Sequence, residues 1–169
     1  MSSLFEFTPD GTIKISLPKY IVEEQCDELS KLTDGYVIGK IDTYDGPIEN
    51  RGSVLAEAVA ASFSSGFNVQ TELGEISENQ FTYEFYISSK YTPQFKYRVF
   101  FLNYGIACYP LYIILDETIA KQIGTENKIQ CENESKFTSV LSQILNSKKL
   151  QSVINNLYAI NQQEAINDF

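Results

Sequence analysis

The sequence predicts a mixed α+β domain: a central antiparallel sheet with a three-stranded meander over about residues 80–115, packed by N-terminal and C-terminal helices. Three observations carry this. First, Phe81, Tyr83, Phe85 and Ile87 alternate with Gln80, Thr82, Glu84, Tyr86 and Ser88, the period of a strand with one apolar face. The pattern resumes at Phe95, Tyr97, Val99 and Phe101, and again at Tyr109, Leu111, Ile113 and Leu115. Second, Phe137, Val140, Leu141, Ile144 and Leu145 form one helical stripe, and Leu150, Val153, Ile154, Leu157 and Tyr158 form another. Third, Ile21, Val22, Gln25, Cys26, Leu29 and Leu32 form a stripe opposite Glu23, Glu24, Asp27 and Glu28.

Taken in order, the chain opens with a short hairpin, Leu4–Phe7 and Thr12–Leu17 about Pro9-Asp10-Gly11, where Pro presets φ and Gly accepts a left-handed turn. Pro18 stands in the first turn of the first helix, where a missing N–H costs little. Asp34-Gly35 ends that helix, and Tyr36–Thr43 is a strand with Val37 and Ile41 turned inward. Asp42–Ser53 is a charged, glycine-containing loop of the kind that holds binding residues. Ser53 caps a small-residue helix, Val54–Phe63, and a short strand at Phe67–Thr71 precedes a second acidic loop, Glu72–Asn79.

Within the meander, symmetrical pairing about the polar break at Ser89–Gln94 sets Ile87 against Tyr97, Phe85 against Val99 and Tyr83 against Phe101. Glu84 then lies diagonal to Arg98 on the other face. Phe100, Leu102, Tyr112 and Ile114 make the later strands apolar on both sides, so both faces need cover, from this chain or from a partner. Asp116 caps a short helix, Glu117–Ile123, closed by Gly124. Lys128–Glu132 suits a charged edge strand, and Asn133 caps the first of two C-terminal helices divided at Asn146-Ser147. A single domain over 1–160 is expected, with 161–169 a frayed tail.

The net charge of −9 is unevenly placed. Between Tyr20 and Glu78 twelve acids stand against three bases, Lys31, Lys40 and Arg51, whereas from Asn79 onward acids and bases balance at eight each. A nucleic-acid binder needs clustered Lys and Arg, so this distribution argues against one. It suits a basic protein partner, which an acidic face steers and orients. No run approaches a membrane span, and MSSLFEFTPDG lacks the regions of a signal peptide, making cytoplasm the expected compartment. Cys26, Cys108 and Cys131 are odd in number and scattered through apolar patterns, which fits buried thiols.

There is no histidine, which removes His-based triads and imidazole ligands or acids. Gly35-Tyr-Val-Ile-Gly39-Lys40 falls one residue short of a P-loop and has Ile41 where Ser or Thr is required. Asp42, Asp45 and Glu49 match no calcium-loop spacing, and no metal or other cofactor is implied. A small, acidic chain without catalytic residues has the character of a bacterial immunity protein or antitoxin, a non-enzymatic inhibitor that neutralises a basic, nuclease-like toxin. No motif identifies such a family. The contact residues expected are Asp42, Tyr44, Asp45, Glu49, Glu72, Glu75 and Glu78, with Tyr36 as a further aromatic anchor. The alternative is a small-molecule sensor or accessory domain with a pocket between sheet and helices lined by Tyr83, Tyr97 and Tyr109. The oligomeric state is left open.

Overall fold

The computed structural model describes residues 4, 6–8, 11, 16–45 and 81–167. The helix expected at Val54–Phe63, the strand at Phe67–Thr71 and the loops at 46–53 and 72–79 lie outside the described residues, as does most of the N-terminal hairpin.

Helix α1 (Pro18–Leu32) begins with Pro in its first turn and without a side-chain cap. The Lys19 N–H, otherwise an orphan donor, is taken up by the Tyr104 hydroxyl. Asp34 and Gly35 both adopt positive φ and stop the helix, and Thr33 Oγ1 donates to the Leu29 carbonyl at 2.9 Å. The strands follow as β1 (Val37–Thr43), β2 (Phe81–Ser89), β3 (Tyr97–Tyr104), β4 (Leu111–Leu115) and β5 (Lys128–Cys131). All four neighbouring pairs are antiparallel, and the sheet order is the chain order, β1 to β5. Helices α2 (Glu117–Ile123), α3 (Glu134–Leu145) and α4 (Lys148–Asn167) are the further helices among the described residues of this α+β fold. Asp116 caps α2 by accepting from Ile119 N–H at 3.1 Å, and Asn133 caps α3 by accepting from Lys136 N–H at 2.8 Å.

The meander register holds at one end and shifts at the other. Ile87 faces Tyr97 as expected, but Phe85 faces Phe100 and Tyr83 faces Leu102. Val99 is the extra residue of a β-bulge, and its carbonyl accepts from Asp116 N–H at 3.0 Å. The bulge turns Phe100 and Leu102 to the helices and sends Phe101 to the opposite face. The apolar even positions of β3 are therefore core residues.

One large cluster joins that face of the sheet to buried residues of all four helices, including Val22, Phe85, Phe100, Ile113, Ile119, Phe137, Ile144 and Leu150. α1 approaches β1 so closely that a methyl group on Gly39 would stand 3.1 Å from Cys26 Sγ and 3.5 Å from Cys26 Cα. α4 runs through Asn167, across the stretch to which the sequence gives no apolar pattern. Fully buried Asn161 anchors it there, accepting from Tyr91 N–H at 2.9 Å and donating to the Leu157 carbonyl.

Gly39→Val is expected to destabilise the protein by about 2 kcal/mol, because overpacking pushes α1 off β1. The urea midpoint measures this, and an unchanged midpoint would mean the contact is loose.

Candidate functional site

Exposed carboxylates stand on two adjoining elements, α1 and β1, with Asp42 on the sheet face away from α1, across from Glu84. α1 presents Glu24, Asp27 and Glu28 to solvent with Glu23 half-buried beside them, while β1 and its end present Asp42 and Asp45. Lys19 pairs with Glu23 at 3.5 Å and Lys31 with Glu28 at 2.8 Å. Glu24, Asp27 and Asp45 have no ion pair among the described residues. The Cys26 thiol, lodged between α1 and Gly39 of β1, is pushed up to about 12, first by burial and then by Asp27, Glu23 and Asp42. Sequence reading placed the acids of α1 on a solvated helix face.

Of the contact residues expected from sequence, Asp42 and Asp45 are exposed, Asp42 on the sheet face away from the helices. Asp42 accepts from the Tyr86 hydroxyl at 2.7 Å. Tyr44 is not a free anchor: its ring packs on Phe101, 4.7 Å between centroids, and lies 5.6 Å from the Arg98 guanidinium. Tyr36 is half-buried between Tyr91 and Tyr158. Glu49, Glu72, Glu75 and Glu78 lie outside the described residues.

The sheet face away from the helices carries a second charged group. Glu84 is 3 % exposed, yet it accepts from Arg98 Nη2 at 3.1 Å and forms an ion pair with Lys96. A buried carboxylate needs such partners, since desolvation would otherwise force its neutral form. Arg98 also lies 4.6 Å from the Phe101 ring centroid, and Lys96 4.4 Å from that of Tyr86. The Glu84–Arg98 diagonal was legible in the sequence, whereas Lys96 sits beyond the strand end and carried no signal. One carboxylate against two cations leaves this group a net +1, with Asp42 across the strands from Glu84 on the same face.

Tyr83, Tyr97 and Tyr109 do not line one pocket. Tyr83 faces Leu102, and Tyr97 stands five residues earlier on β3, about 17 Å away along the strand. Tyr109 leads into β4 beside Glu134 at the start of α3, and its phenol is pushed up to about 12, mainly by burial. Among the described residues no group of three or more Cys, Asp or Glu is placed to hold a metal ion, and no helix is long and apolar enough to cross a membrane. No protein-family model matches the chain, and no curated protein or solved structure matches it.

Two outcomes follow from these environments. Glu84→Ala leaves two cations without their shared carboxylate and is expected to cost about 3 kcal/mol, read from the urea midpoint. A loss near zero would mean that water replaces the carboxylate freely. The second concerns alkaline pH. Cys131 is pushed up to about 11 by burial, and Tyr86 to about 12, chiefly because its hydroxyl donates to Asp42. Together with Cys26 and Tyr109, these groups hold their protons more tightly folded than unfolded, where thiols and phenols titrate near 9.0 and 10.0. Their stabilisation is complete below about pH 9 and is lost as pH rises toward about 12, so the urea midpoint should fall between about pH 8 and about pH 11.

Proposed function

We propose that this chain is a non-catalytic binding protein of immunity- or antitoxin-like character, whose acidic side binds and neutralises a basic protein such as a nuclease toxin. The supporting observation is the run of acids on the solvent face of α1, where Glu24, Asp27 and Glu28 are exposed and only Glu28 has an ion pair among the described residues. Net charge alone says only that a protein is acidic. Acids grouped on one helix face generate a directional field, which raises the encounter rate with a basic surface and orients it on arrival. Glu24, Asp27 and Glu28 on α1, with Asp45 past the end of β1, are the contact carboxylates. Tyr44 contributes indirectly, by holding the β1 end against Phe101.

The test compares immobilised wild-type protein with the Glu24→Lys/Glu28→Lys/Asp45→Lys variant, each exposed to lysate of the source organism at low salt. The wild type is expected to retain a basic protein that high salt releases, and the variant to lose it, with association slowed about tenfold in purified components. The same proteins retained on both surfaces, or none on either, would overturn the reading.

A further inference from the structure

Among the described residues β1 is an edge strand, and its outward groups and side chains are complementary to a second copy of itself. The hydrogen bonds at its two ends fix which groups face outward. Lys90 N–H donates to the Tyr36 carbonyl at 3.0 Å and Tyr44 N–H to the Thr82 carbonyl at 2.9 Å. Even-numbered residues of this stretch therefore bond to β2, and odd-numbered residues turn their N–H and C=O to the outer edge. Thr33 Oγ1 accepts from Val37 N–H at 3.2 Å and lies 3.2 Å from the Val37 carbonyl, capping the edge there. That leaves Gly39, Ile41 and Thr43, with nothing paired to them among the described residues.

We propose that the protein forms a twofold dimer by antiparallel pairing of β1 with β1 of a second copy, centred on Ile41. In this register Ile41 faces Ile41 of the partner, and Gly39 faces the partner's Thr43, so the free edge groups meet in about six hydrogen bonds. Lys40 then faces the partner's Asp42 in the more closely spaced, non-hydrogen-bonded pairs, and the symmetry forms this ion pair twice. Lys40 and Asp42 are both exposed, and Lys40 has no ion pair among the described residues. Neighbouring registers that keep the same hydrogen-bonding parity fail on charge. A shift of two residues in the pairing sum sets Lys40 on its own copy in one direction and Asp42 on its own copy in the other.

Sterics agree with the central register. α1 crosses β1 at Gly39, which here lies opposite the partner's Thr43. The two helix crossings are then about 13 Å apart along the strands, wider than the roughly 8–10 Å of packed helices. Glu24, Asp27 and Glu28 on α1 take no part in this pairing, so the inference stands apart from the partner-binding proposal.

Sedimentation equilibrium of the full chain over a wide concentration range tests it. The wild type is expected to dimerise. Lys40→Asp and Asp42→Lys should each weaken the dimer about tenfold by opposing like charges, and the double swap Lys40→Asp/Asp42→Lys should restore it. Thr43→Pro removes an edge N–H that β2 does not use and should give a monomer, with far-UV circular dichroism showing that the fold is kept. A monomeric wild type, single variants as dimeric as the wild type, or a double swap that stays monomeric would each overturn the proposal.

Discussion

The extra residue at Val99 is the constraint on which the sheet's two faces depend. Without it, strict alternation along β3 would direct Phe101 at the helices and Phe100 and Leu102 away from them. With it, both of the latter enter the core, and their neighbour is left to be covered by Tyr44 and the Arg98 guanidinium. The bulge also accepts a bond from Asp116 N–H, tying the end of β4 and the cap of α2 to the middle of the sheet. A single local irregularity thus sets packing on one face, charge pairing on the other and the position of a helix.

Charge is handled in two ways within this framework. Glu84 is withdrawn from water and must be matched locally, so Arg98 and Lys96 close around it. The acids of α1 and β1 stay hydrated, where repulsion is cheap and partial pairing with Lys19 and Lys31 suffices. Hydrated acids keep a long-range field that buried pairs cancel. Among the described residues, the exposed face of α1 carries such hydrated acids in Glu24, Asp27 and Glu28.

The first strand meets several demands together. Its inward residues Val37 and Ile41 are buried, and Gly39 admits the backbone of α1. Its alternate residues carry Lys40 and Asp42 to the solvent side, and its outer edge ends against Thr33. Strands with so little side-chain bulk at the helix crossing keep their geometry through neighbours, which is why α1 and β2 both fix its register.

For the described elements, sequence by itself determined their types, most of their limits and the side of each helix that packs. Periodicity of two or of 3.6 is a local signal, and the caps at Asp116 and Asn133 and the stop at Asp34-Gly35 act within a few residues. The pairing of Ile87 with Tyr97 and the Glu84–Arg98 diagonal were legible because they lie next to the hairpin that sets them. Beyond Val99 the register was not, since a bulge changes alternation without leaving a mark in the composition. The extension of α4 through Asn167 was also hidden, because a buried polar residue, Asn161, anchors it by bonding to a loop seventy positions away. The crossing of α1 over β1 at Gly39 is likewise encoded in no local pattern. Only the tertiary structure decided these features, because each rests on groups that meet through space.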